Sequence, residues 1–184
     1  MPGFSRTARA SERGFTLAEL MAVVAITGIL GAICTSLVIK HMAVAKNAEA
    51  LDGMQSLRTA AEAFKAENGR YLDCSLTSGP QWYPAIVPSK TRYPWLAPSH
   101  PDWAQWRLMA VPRTGVTRFG YIMNAGLPGG ALPTFQVAQA IQPTVPNEPW
   151  YVIQVRGDSD ADGKPMLGFI TSFTGDVLVE NDSE

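Results

Sequence analysis

The chain has 184 residues, of which 46% are hydrophobic and 17% charged, with a formal net charge of −1. This balance excludes a highly charged disordered chain and a strongly basic nucleic-acid binder. The length allows one domain, but the apolar content is uneven. From Leu20 to Ile39 there are 20 consecutive residues without Asp, Glu, Lys or Arg, about the length a helix needs to cross the hydrocarbon core of a bilayer. The remainder is therefore expected to be a membrane-anchored domain.

The N-terminal flank of this run carries Arg6, Arg9 and Arg13 against a single acid, Glu12. Basic residues on that side hold it in the cytoplasm and send the C-terminal part outward. No small-residue A-x-A site follows the apolar core, as a secretory signal would require. The peptide-like joint instead precedes it, at Gly14–Phe15. Glu19 is an ionisable residue at the start of the apolar segment, where it either snorkels to the headgroups or has a function.

The run Arg13-Gly14-Phe15-Thr16-Leu17-Ala18-Glu19-Leu20-Met21 resembles the processing site of type IV prepilins and pseudopilins, whose class III signal peptide is a short basic leader ending in Gly. The resemblance implies that residues 1–14 are a leader, cut after Gly14 by prepilin peptidase, and that the new amino terminus at Phe15 is methylated. It also implies that Glu19 pairs with the amino terminus of a neighbouring subunit during assembly. An ammonium and a carboxylate that are each costly in lipid become tolerable as a pair.

Residues 15–39 are read as the transmembrane and assembly helix, and residues 40–67 as its amphipathic continuation into a head. Val44, Ala48, Leu51, Met54, Leu57, Ala61 and Phe64 recur at intervals of three or four, with charged residues largely between them, which is the pattern of one apolar helix face. Arg58/Glu62 and Glu62/Lys65 are candidate supporting pairs along it. Asn68-Gly69 is a left-handed stop signal, so a helix from Phe15 to Glu67 would be about 80 Å long. Gly28, Gly31 and Gly53 mark places where it flexes or packs closely. Many pilins carry a proline partway along this helix; here Ser36 stands about there.

Residues 68–184 are expected to form the globular head. Its first part, residues 71–101, holds six prolines with Trp82, Tyr83, Tyr93 and Trp95 among them. That composition prevents a regular helix or central strand and leaves two readings, a packed irregular loop or an exposed aromatic patch that touches a partner. Strand-like runs follow within residues 105–180, at Trp106–Val111, Phe119–Met123, Trp150–Val155, Leu167–Phe173 and Val177–Glu180, separated by turn signals. Together they predict an antiparallel meander covering the amphipathic helix, an α+β architecture. This element order is the one pilins share, although the usual C-terminal disulfide loop is absent. Cys34 and Cys74, tens of ångströms apart at about 1.5 Å per helical residue, are not expected to pair within one chain. Cys34 reads as a small apolar residue, whereas Cys74 is either a free thiol or an intermolecular partner.

Asp158, Asp160 and Asp162, with Gly163 behind them, match the first half of a calcium loop. Phe169 stands where the closing Glu would be, so the segment is no EF-hand. It is either a hairpin turn rich in Asp or a looser Ca²⁺ site, the one cofactor the sequence suggests. No G-x-S-x-G, H-E-x-x-H, C-x-x-C or phosphate-binding glycine loop occurs, His100 reads as a loop residue, and no enzymatic activity is expected. No basic cluster points to direct nucleic-acid binding.

The resemblance implies a structural subunit, a major or minor pilin, of a type IV pilus serving adhesion, twitching motility or DNA uptake. Its partners would be other pilin subunits, alike or different, prepilin peptidase and the inner-membrane assembly machinery. It would sit in the inner membrane as a single-pass protein and then in a surface fibre. A pseudopilin of a type II secretion system, in a periplasmic fibre, is the alternative, and a non-assembling membrane-anchored binding domain the outlying one.

Overall fold

A computed structural model describes residues 14–76, 79–113, 115–137, 143–158, 161, 163–175 and 177–181, without the side chains at positions 36, 37, 39, 40, 42–44 and 47. The chain divides into two compact units, Met1–Ile39 and Lys40–Glu184. Helix α1 covers Leu17–Asn68 and continues through position 36, where no proline breaks it. In the first unit the stretch Leu17–Thr35 is long and apolar enough to cross a membrane, and none of it is buried in the protein. The helix ends at Gly69, whose φ of +71° lets its N–H bond the Lys65 carbonyl at 2.8 Å.

In the second unit the later turns of α1 lie on a four-stranded antiparallel meander in the order β3 (Gly120–Gly126), β4 (Trp150–Gly157), β5 (Met166–Thr171) and β6 (Val177–Glu180). This is the expected α+β architecture. The buried helix face is turned from the expected stripe. Ala50, Met54, Leu57, Ala60 and Ala61 are buried, whereas Leu51 is 37% exposed and Ala48 is exposed. Small residues let the sheet approach closely, so the face is centred on Gly53 and its neighbours rather than on the bulkiest aliphatics. A tyrosine joins the expected Glu62/Lys65 pair. Tyr71 stands between Glu62 and Lys65, receiving a hydrogen bond from Lys65 Nζ at 3.1 Å and donating to Glu62 Oε1 at 3.1 Å.

Side chains alternate across the sheet. Tyr121, Met123, Ile153, Val155 and Ile170 belong to the buried core that includes the helix face. The cross-strand row Ile122, Gln154, Phe169, Leu178 alternates with them and therefore lines the opposite face. That face is covered by described residues of the β3–β4 connection, 127–137, a strap for which the sequence reading had no element. Gln154, 2% exposed, accepts the Gln136 N–H on Oε1 at 2.6 Å and donates from Nε2 to the Thr134 carbonyl at 3.2 Å. Phe135 packs on Phe169 with ring centroids 5.1 Å apart. Trp150 Nε1 holds the Leu127 carbonyl at 3.1 Å.

The expected strand at Trp106–Val111 is not formed. Trp103–Trp106 is a short helix, α2, and Arg107–Met109 a 3₁₀ turn. Trp106 and Met109, three residues apart, are the buried pair, while Leu108 is 53% exposed; a strand would have put 106 and 108 on one face. The Pro/aromatic segment is the packed loop rather than an exposed patch. Trp82, Tyr83 and Trp95 are buried, and Tyr83 stacks on Trp106 at 4.6 Å and meets Trp95 edge-on at 5.1 Å. Within it, strand β1 (Tyr93–Pro94) pairs with β2 (Val116–Thr117), an edge position where proline is tolerated.

Candidate functional site

The candidate site is the start of α1, where an acid lies against an apolar helix. Thr16 precedes the first helical residue and Glu19 follows three positions later, the spacing of a capping box. The Glu19 N–H donates to Thr16 Oγ1 at 3.2 Å, and Glu19 Oε2 accepts from the Thr16 N–H at 2.9 Å and from the Thr16 hydroxyl at 2.8 Å. Two amide groups with no partner inside the helix are thereby satisfied by each other's residue. Among the described residues both carboxylate contacts fall on Oε2, which leaves the Oε1 lone pairs to a second donor. Phe15 alongside is 80% exposed.

Further along, the helix hides its own polar groups. The Thr27 hydroxyl donates to the Val23 carbonyl at 2.8 Å and that of Thr35 to the Gly31 carbonyl at 2.9 Å. Hydroxyls satisfied in this way tolerate lipid. Beyond the helix's own backbone, no atom lies within 4 Å of the Cβ positions of Gly28 and Gly31, and residues three apart share one face, so that face stays open to a neighbouring helix.

Comparison with known proteins now bears directly on this segment. The prokaryotic N-terminal methylation motif matches residues 9–35, and so includes Gly14, Phe15, Thr16 and Glu19. In this comparison the chain is similar to type IV pilins. It is 51% identical over 62 residues to the type IV major pilin protein PilA of Myxococcus xanthus (strain DK1622), covering 34% of this chain and 28% of that protein. It is 45% identical over 58 residues to the fimbrial protein EcpB of Eikenella corrodens, covering 32% of this chain and 36% of that one. These matches span only about a third of either relative's length. No solved structure matches. The motif match ends at Thr35, where the apolar stretch that is long enough to cross a membrane also ends.

The other candidate residues fare differently. Asp160 and Asp162 lie outside the described residues, as do the leader arginines Arg6, Arg9 and Arg13. Asp158 Oδ1 accepts the Ala161 N–H at 2.7 Å, the contact of an Asp-initiated turn. Cys34 and Cys74 are both free thiols. Cys74 is completely buried, and burial pushes its thiol pKa up, so it is not placed to pair with another molecule. His100 is a buried loop residue: Nδ1 accepts the Asp102 N–H at 3.1 Å, which assigns the proton to Nε2, 3.1 Å from the Trp82 carbonyl. Sequence reasoning missed the bond between Thr16 and Glu19, although the Thr-x-x-Glu signal was present.

Proposed function

We propose that this chain is a major or minor pilin of a type IV pilus, assembled through its N-terminal helix into a fibre for adhesion, motility or DNA uptake. In this reading prepilin peptidase cuts between Gly14 and Phe15 and methylates the new amino terminus. The subunit waits in the inner membrane as a single-pass protein with its leader in the cytoplasm, until the assembly machinery extracts it. Glu19 receives the ammonium of a neighbouring Phe15, which removes two uncompensated charges from an apolar fibre core.

The observation that carries this reading is the position of Glu19, a carboxylate with one oxygen uncommitted, at the head of an apolar stretch, Leu17–Thr35, none of whose residues is buried in its own chain. A helix that only anchors a domain needs no such acid. Expression of Glu19→Ala in the native host tests it: the variant should insert in the membrane and fold its head but be missing from sheared surface fibres. Wild-type amounts of the variant in the fibres would refute the role of Glu19. Finding the wild-type chain only in a periplasmic fibre would point to secretion instead.

A further inference from the structure

The head has a concavity on the sheet face that α1 does not cover. Three segments meet there: the stretch after α1 through Ser75 and Pro80, the strands through Ile122, Asn124 and Gln154, and the strap through Thr134. They enclose a cavity of about 290 Å³, near the lower end of the volumes that small-molecule sites occupy, roughly 300–1,000 Å³.

We infer that this cavity binds a neutral sugar residue. Among the described residues no ionisable side chain lines it, so a charged ligand would be desolvated without a counter-charge. A purely apolar ligand would strand the amide and hydroxyl groups of the wall. Those groups are held in place. Asn124 Nδ2 donates to Asp73 Oδ1 at 3.3 Å and to the Ser75 carbonyl at 3.1 Å, which presents Asn124 Oδ1 as an acceptor. Ser75 Oγ accepts the Met123 N–H at 3.1 Å, a bond that leaves its hydroxyl hydrogen to donate. The Gln154 amide binds the strap through both its atoms and so fixes the opposite wall. Ile122 contributes an apolar surface. Fixed donors and acceptors around an apolar patch match a pyranose, which offers hydroxyls at its rim and C–H groups on its faces.

A peptide is the other neutral, hydrogen-bonding ligand, and the sheet argues against it. Peptides bind strands by pairing with a free edge, and the outer edge of β3 is taken. The Cys74 and Ser75 N–H groups both donate to the Met123 carbonyl at 3.1 Å, and Tyr83 and Tyr121 exchange N–H···O bonds at 2.9 and 2.7 Å. Sugar binding at this cavity does not depend on fibre assembly.

Saturation-transfer NMR tests the inference on the full chain in dodecylphosphocholine micelles. The probes are glucose, galactose, mannose and N-acetylglucosamine at millimolar concentration, with glucuronic acid and capped triglycine as comparisons. At least one neutral sugar should receive saturation, and Thr134→Trp, which fills the mouth from an exposed strap position, should abolish it. Thr134→Lys provides the same test if the bulkier variant fails to fold. No transfer to any neutral sugar, transfer that persists in the filled variants, or transfer only to the acid or the peptide would each overturn the inference.

Discussion

Arg113 lies across α1 at Gly53. Its Nη1 donates to the Tyr121 hydroxyl at 3.0 Å, and its guanidinium carbon stands 5.6 Å from the ring centroids of both Trp95 and Tyr121. A Cβ on residue 53 would fall 2.0 Å from both Arg113 Nη1 and Tyr121 Oη. The absent side chain is thus what allows the helix, the β3 tyrosine and the guanidinium to share one place. Burial pushes the Tyr121 phenol up to about 12, so it stays a neutral hydrogen-bonding group at physiological pH.

Gly53→Ala should therefore destabilise the head, although alanine is the better helix former. Overpacking of this kind costs about 1–3 kcal/mol, which for a chain of this size lowers Tm by roughly 2–4 °C per kcal/mol. Thermal unfolding of the purified full chain in detergent measures it. Adding Tyr121→Phe, which removes one of the three clashing atoms, should recover part of the loss. An unchanged or raised melting temperature in Gly53→Ala would show that the helix does not approach the sheet so closely.

The capping box at the start of α1 has a kinetic signature. Thr16→Ala removes the hydroxyl that accepts from the Glu19 N–H and one of the donors to the Glu19 carboxylate, so the first turn should open more often. Hydrogen exchange of the amides from Leu17 to Leu20 in micelles should accelerate, while exchange in the head stays unchanged. Equal protection in the two proteins would mean that Thr16 does not cap the helix.

His100 gives the head a predictable response to acid. The ring is 5% exposed, and burial, only partly offset by its bond to the Trp82 carbonyl and by the nearby Asp102, holds its pKa below the ordinary value of 6.5. As pH falls through about 6.5 the unfolded chain takes up the proton first, so stability falls with it. Above that pH the contribution is constant. Asp73 works in the opposite sense at lower pH, because burial raises its pKa. The comparison is therefore the Tm of wild type against His100→Gln between pH 7.5 and 5.5. The wild type should lose more stability over that range; parallel curves would contradict a buried neutral imidazole.

Much of this structure could be read from residue order alone, where local chemistry and tertiary context agree. The α1 span follows from charge-free length, three-four periodicity and the Asn68-Gly69 stop. Strands β3 to β6 follow from apolar runs bounded by turn residues. Where the two disagreed, packing decided. Leu51 is a stronger apolar residue than Ala50, but the sheet needed the small face around Gly53. Trp106–Val111 has strand-like composition, yet Trp106 and Met109 fill the aromatic core at a helical spacing. The strap had no periodicity to show, because it is held by one buried amide, Gln154, and by aromatic contacts between residues distant in sequence. Glu19 was found through its chemistry, but its bond to Thr16 needed the local spacing to be read as a cap.

The account turns on the state in which this chain is found outside the cell. Surface fibres sheared from the native host and analysed by intact and fragment mass spectrometry should contain this chain beginning at Phe15, lacking residues 1–14 and carrying one methyl group on its amino terminus. A chain that keeps its first 14 residues, one cut after Ile39 and so stripped of the apolar helix, or its absence from the fibres while the intact protein stays in the membrane would contradict the account.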